Sequence, residues 1–373
     1  MMSAWASGSD RAFAHTLHGS GTLRALSSEG VSLWLDGLSR RHLLDGTLRA
    51  WVQSGLVSGA FLSLSAMTAD LRRREGTSYQ HLVDALARGG ATPEHIAQAL
   101  IRADAHRACR MLAPVHAAAG GLDGWVCTDF GETSATEALD LAADVGRRNL
   151  LIGVAATRNG LDVLRLCAQE GVGTSVMRIR SEERFAEVLG AHWSGLEATV
   201  GKGRDPARSP CVPCVEVGDM DAAVDDVLAR AVPGNAEPRA AGRAGLALAR
   251  AVYGYLDRQF DSDRWRALRS AGALPCRIAW GGSTPSHVAG IVGWRTAHVV
   301  TPDTAVETAL GPAPLGDSLT GRAPDALRVH ASLRRQGVHL GCLAETLTRR
   351  EQRARTRERA AFLQAVRERM PRS

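Results

Sequence analysis

Eight short, β-prone apolar runs are spread along this chain, and the stretches between most of them have the three-to-four-residue apolar spacing of amphipathic helices. The runs occupy residues 31–36, 56–61, 125–129, 150–155, 173–179, 211–217, 277–280 and 296–300. A chain that alternates strand and helix predicts parallel strands, because parallel neighbours need a crossover, usually helical, to bring the chain back. Eight such units are the number that closes a (β/α)8 barrel. Helix starts support the reading. Thr92-Pro93-Glu94 predicts an N-cap followed by proline at the first helical position. Ser134 and Glu137 stand at capping-box spacing ahead of Ala138, Leu139 and Leu141. The expected fold is therefore α/β, a barrel with additional helices at both ends. One domain is expected over 1–373, with an N-terminal extension over 1–29 and an arginine-rich helical segment over 318–373. Pro/Gly-rich loops at 200–210, 232–241 and 311–324 are too short to demand a domain boundary, and no internal repeat is evident.

Charge and cysteine usage narrow the partners. The net charge is +6, nearly all the cations are arginines, and Lys202 is the single lysine. Much of the basic excess lies between Arg349 and Arg359, where glutamates interleave. That pattern predicts a solvated helix face, so no nucleic-acid partner is expected. Seven scattered cysteines, an N-terminus without the apolar core of a signal peptide, and no apolar run near the ~18 residues of a membrane span predict a reduced, cytoplasmic protein with no membrane partner. Cys211 and Cys214 have C-x-x-C spacing, but residues three apart on a strand face opposite sides, so a shared metal is not expected.

The strand ends carry a resemblance. Residues 32–40 (Ser-Leu-Trp-Leu-Asp-Gly-Leu-Ser-Arg), residues 149–157 (Asn-Leu-Leu-Ile-Gly-Val-Ala-Ala-Thr) followed by Gly160-Leu161, the segment from Asp261-Ser262-Asp263-Arg264-Trp265 to Trp280, and Thr301-Pro302-Asp303-Thr304 occur in the order and spacing of a transaldolase. Over roughly residues 30–310 the chain resembles that family. The resemblance implies a barrel whose chemistry sits at the C-terminal ends of the strands. It also implies a lysine on the fourth strand that attacks a ketose carbonyl, giving a protonated imine that accepts electrons as the carbon–carbon bond breaks.

Several positions depart from the family pattern. Gly153 stands where the resemblance implies the lysine, and Gly59-Ala60 where it implies an asparagine–proline pair. The third-strand glutamate becomes Asp129 and the fifth-strand threonine becomes Met177. Gly218-Asp219 replaces the serine and arginine that would hold a substrate phosphate. At ~4 Å and an effective dielectric near 20, such a charge reversal is worth about 4 kcal/mol, so a sugar phosphate is expected to be disfavoured. Lys202 precedes the sixth strand, at the opposite end of the barrel from the mouth, roughly 20 Å away.

By the family register, the mouth should gather Asp36, Asp129 and Glu216 as candidate catalytic residues. Phe61, Gly153, Met177, Cys214, Trp280 and Ser283 are expected to line a substrate pocket. Three nearby carboxylates cannot all ionise cheaply without a cation or raised pKa values. Two chemistries answer this. One carboxyl stays protonated as a general acid while another is the base, or Asp36, Asp129 and Glu216 together hold a divalent metal such as Mg2+. No cofactor is required. Alternatively, Glu216 is bonded to Ser283 or Trp280 in a filled mouth. The expected function is a barrel enzyme diverted from transaldolase activity to non-Schiff-base chemistry on a non-phosphorylated small molecule, as in specialised metabolism. The alternative is an inactive scaffold or regulator that acts through its surface. Homo-oligomerisation is left open.

Overall fold

The computed structural model of the protein describes residues 20–73, 79–129, 133–231, 242–314 and 316–371. Most of the expected N-terminal extension and the 232–241 loop lie outside them. Eight parallel strands close into a barrel in chain order: β1 (Val31–Leu38), β2 (Gly59–Ser63), β3 (Val126–Asp129), β4 (Leu150–Ala155), β5 (Thr174–Ile179), β6 (Cys211–Glu216), β7 (Ile278–Gly281) and β8 (Thr296–Val300). The expected fold is thus observed, and each predicted run overlaps a strand. The largest difference is β2, which begins three residues later than its run. Leu56 and Val57 are buried like strand residues, but their amides bond back to Trp51 O at the end of the helix Thr47–Gln53. Both predicted helix starts are present, with Thr92 capping Pro93–Ala118 and a Ser134–Glu137 capping box opening Ala135–Val145.

Strand alternation sorts the core into two layers. An inner cluster takes alternate residues from the strands, among them Trp34, Phe61, Cys127, Leu151, Met177, Val212, Cys214, Ala279 and Val299. Their neighbours, such as Leu35, Val154, Val215 and Trp280, join the larger cluster between sheet and helices. The tryptophan on β1 sets the size of its neighbour. A Cβ on Gly59 would lie 2.8 Å from the Trp34 indole, so only glycine fits beside it at the start of β2.

Beyond the barrel lie helices at both ends. Gly21–Ser28 is fastened to the end of the helix Pro302–Leu310 through Ser20 Oγ, which donates to Ala309 O at 2.7 Å. Ala323–Arg335 and the long Leu340–Arg369 form the expected arginine-rich helical segment. The latter is anchored near its end by Phe362, Ala365 and Val366, which pack with Leu64, Met67, Leu71, Ile96 and Leu100. Its middle crosses beside the strand ends of β4 and β5. No helix among the described residues is long and apolar enough to cross a membrane.

Candidate active site at the barrel mouth

One end of the barrel is closed by polar side chains. Asp123, just before β3, accepts from Trp34 Nε1 at 2.7 Å and Ser58 Oγ at 2.9 Å, also bonds Ser32, and pairs with Arg277 at 3.5 Å. These groups all sit at or just before strand starts or low on the strands, so they form a floor. Chemistry is left to the opposite end, where backbone and side chains at strand ends face a small cavity of about 40 Å³ lined by Gly153, Ala155, Met177, Arg178, Arg180, Glu351 and Arg355.

The end of β5 is shaped by an irregularity. Arg178 adopts a left-handed conformation with φ 72°, and the pairing of β5 with β6 shifts between Val176 and Ile179. A non-glycine residue there costs on the order of 1 kcal/mol or more, a cost concentrated at functional positions in folded proteins. The kink accompanies an arrangement in which both Arg178 and Arg180 line the cavity. Arg178 Nη1 lies 3.5 Å from Glu216 Oε1, and its Nε lies 2.8 Å from Glu351 Oε1. The buried Arg180 donates to Asp219 Oδ2 at 2.6 Å and also to Glu351. Glu351 itself comes from the helix Leu340–Arg369 and is further paired with Arg355 at 3.4 Å. Three guanidiniums therefore meet Asp219, Glu351 and Glu216 in one network.

Glu216 ends β6 on its inner face and is only 3 % exposed. Across the ladder it faces Gly281. A Cβ at that position would fall 2.4 Å from Glu216 Oε2, so the absence of a side chain on β7 is what lets the carboxyl lie flat against its neighbour. Burial pushes its pKa up to about 7. Arg178 and Arg180 pull the other way, while Asp219 and Glu351 add to the rise. A carboxyl poised near neutrality can both take and return a proton at working pH. Cys214, two residues earlier on the same face, lies 3.9 Å from Glu216 Oε1, and burial first and Glu216 second push its thiol well above the ordinary range. As a protonated thiol it is a wall, not a nucleophile.

The other candidate positions divide. Asp36 is exposed at the inner-face end of β1, close enough for its charge to be felt at Cys214. Asp129 ends β3, but its side chain lies outside the described residues. Gly153 and Met177 line the cavity, and Phe61 packs beneath it in the inner cluster. Trp280 and Ser283 are corrections. Trp280 belongs to the layer between sheet and helices, paired with outward-facing Val215. The family register places it one residue out of phase. Ser283 turns the same way, donating to Trp280 O at 3.0 Å and bonding His298 Nδ1 at 2.7 Å in a fully buried contact. Neither residue holds Glu216. Its countercharge is Arg178, which supplies the cation that sequence reasoning sought in a metal ion. Lys202 caps the helix Glu182–Gly201, 43 % exposed at its side chain, with Nζ 3.4 Å from Glu170 Oε1.

Glu351 is not expected in the site from sequence, whereas Arg178 and Arg180 read there as solvated surface first and as partners of a mouth carboxylate or substrate anion second. The two arginines end a strand and could be noticed there, but Glu351 lies 171 residues beyond Arg180 in a run that reads as solvated helix. Their pairing also corrects the expected repulsion of a phosphate. Asp219 does not face the mouth as an isolated anion, since Arg180 neutralises it, and the mouth carries more guanidiniums than the family comparison of 218–219 alone implies.

The whole chain also has recognisable relatives. It is 36 % identical over 262 residues to a transaldolase of Arthrobacter sp. (strain FB24), covering 68 % of this chain and 70 % of that one. It is 32 % identical to a transaldolase of Mycobacterium ulcerans over 85 % of this chain and 89 % of that one. To a transaldolase of Saccharopolyspora erythraea it is 31 % identical over 93 % and 97 % of the two chains. No protein-family model matches. This kinship overturns the expectation of a barrel diverted to other chemistry on a non-phosphorylated molecule, and with it the inert scaffold. Likeness to proteins named transaldolase over 68 % to 93 % of the chain supports the activity of that name. Substitutions at a few mouth positions carry less weight than likeness along most of the chain, and Arg180 offsets the charge of Asp219. The chain belongs to the transaldolase family.

Proposed function

We propose that the protein is an enzyme that transfers an aldol unit from a ketose-type donor to an aldehyde acceptor, the activity its relatives are named for, with the chemistry at the mouth around Arg178 and Glu216. The observation that carries this reading is the 31 % identity with a transaldolase over 93 % of the chain. Geometry supplies the parts. Cleaving the donor requires a base to take a hydroxyl proton and a place for the electron pair left on carbon. Glu216, with its pKa near 7, takes the proton and returns it when the acceptor aldehyde is added. The electron pair moves onto the donor's carbonyl oxygen, and the Arg178 guanidinium beside Glu216 offsets that negative charge. Lys202 is the one side-chain amine in the sequence, and it is paired with Glu170 on the far side of the strand starts. In this reading the member works without a lysine in its mouth, and electrostatic stabilisation takes over the electron demand an imine would meet.

The test is direct. Purified protein is given fructose 6-phosphate and an aldose phosphate acceptor, and products are followed by NMR. Transfer is expected, and Glu216→Gln should slow it on the order of a hundredfold or more. Folded protein that produces no transfer overturns the activity. Borohydride treatment during turnover should leave the mass unchanged, and an adduct on Lys202 would overturn only the lysine-free part.

A further inference from the structure

A second cluster lies at the other end of β6, remote from the mouth chemistry. Cys211 opens β6 with its side chain in the outer layer, Cys276 stands two residues before β7, and His192 comes from the helix Glu182–Gly201. One ligating atom of each lies within 4.8 Å of the others, and the three residues are 5 % exposed or less. Sequence spacing hides this group. Cys211 does not share a face with Cys214, as strand alternation requires, but meets a cysteine 65 positions later and a histidine on a helix.

The histidine's orientation is informative. His192 Nε2 is 2.9 Å from Ser209 O, which can only accept, so Nε2 carries the proton and donates it. Nδ1 is then the unprotonated nitrogen, whose lone pair accepts from the Cys276 thiol. It points at the sulfur of Cys276, 3.8 Å away. A metal-binding histidine is held in the same way, with one ring N–H fixed by a carbonyl and the other nitrogen presented to the ion. Burial keeps the ring neutral, pushing its pKa down to about 4.

We propose that His192, Cys211 and Cys276 form a structural site for a borderline-soft divalent ion of the zinc class. Binding releases both thiol protons to solvent. Two thiolates, a neutral imidazole and a dication then sum to zero charge, the one total that a buried pocket accepts without a further counterion. Zinc–sulfur and zinc–nitrogen bonds of about 2.3 and 2.0 Å require sulfur and nitrogen ligands closer together than 4.8 Å allows at its limit, so the three groups draw in slightly around the ion. The three residues supply three of the four ligands such an ion takes. Hard ions such as Mg2+ are not expected here, because two of the three ligands are sulfur. Once filled, the site ties the helix Glu182–Gly201 to the starts of β6 and β7.

Cobalt is the probe. Full-length protein, reduced and stripped with chelator, is titrated with Co2+ without oxygen. One equivalent should produce a thiolate-to-cobalt charge-transfer band, which one equivalent of Zn2+ should abolish. Cys211→Ser and Cys276→Ser should each weaken or lose the band, while serine at the exposed Cys342 should leave it intact. Folded wild-type protein without the band, or a band that survives both buried substitutions, overturns the site. If the buried variants do not fold, X-ray absorption of zinc-loaded wild type decides. Two sulfurs and one imidazole nitrogen at the ion confirm the ligands, and an oxygen-only shell overturns them. None of these readouts depends on catalysis, so they stand apart from the mouth reaction.

Discussion

Glu216 owes its raised pKa first to burial, which outweighs the opposing pull of the arginines beside it. Gly281 lets the carboxyl settle against β7, and Gly281→Ala should push it off Arg178. Because displacing a catalytic group by ~1 Å can cost on the order of a hundredfold, transfer activity should fall by about that factor while far-UV circular dichroism stays unchanged. A Gly281→Ala enzyme with full activity removes Glu216 from the reaction. The same carboxyl affects stability. Its folded pKa of about 7 lies above the ordinary 4.5, so the folded state holds a proton that the unfolded chain has already released between those values. Stability contributed here is present below about pH 4.5 and is lost as pH rises through 7. Glu216→Gln should therefore gain on wild type by up to about 3 kcal/mol between those limits, measured by urea unfolding across pH. A constant difference would mean the group does not titrate there. For donor cleavage, which needs the carboxylate, kcat/KM should fall as pH drops below about 7.

Among the elements, the helix Leu340–Arg369 has the most consequence for the site. Its far end is an apolar anchor and its middle is an ionic one. Phe362→Ala should destabilise the protein by about 3–5 kcal/mol, because the ring is 2 % exposed among residues of three other helices, and chemical denaturation would register it. Glu351→Gln should leave the fold intact and strengthen inhibition by inorganic phosphate, since Arg178 and Arg180 each lose a carboxylate partner. Unchanged or weaker inhibition would mean that the guanidiniums are not available to anions. The strands were legible because each carries an apolar run between polar breaks. Alternation correctly separated Cys211 from Cys214 and placed Glu216 inward. Trp280 was misplaced because a four-residue strand with small neighbours carries little phase information, and a tryptophan fits either layer. Arg178's kink and the reach of Glu351 were not legible at all. A left-handed strand residue has no sequence marker when it is not glycine, and a charge in a helical run does not name its partner across 171 positions. Lys202 ends the helix Glu182–Gly201 in a helix-to-strand connection, and such connections lie at the end of a barrel opposite the mouth.

At the scale of the molecule, the barrel places its polar groups at two ends and a dry inner cluster between them. His298 belongs to the outer layer, where burial holds its pKa down at about 4 and Ser283 and Ile291 occupy both ring nitrogens. Its unfolded value is higher, near 6.5, so stability is full above 6.5 and is lost as pH falls toward 4, by up to about 3 kcal/mol. The trend opposes that of Glu216, so it should appear most plainly in the Glu216→Gln background, and a flat unfolding profile there between pH 6.5 and 4 would contradict it. The ion pairs from Glu351 to Arg178 and Arg180 have a practical consequence as well. Exchanging only the loops of the barrel rim would leave behind the part of the cavity lining that the helix Leu340–Arg369 supplies. A graft of this mouth must carry the crossing helix with it, and a library that varies the arginines of β5 must vary position 351 in the same clones.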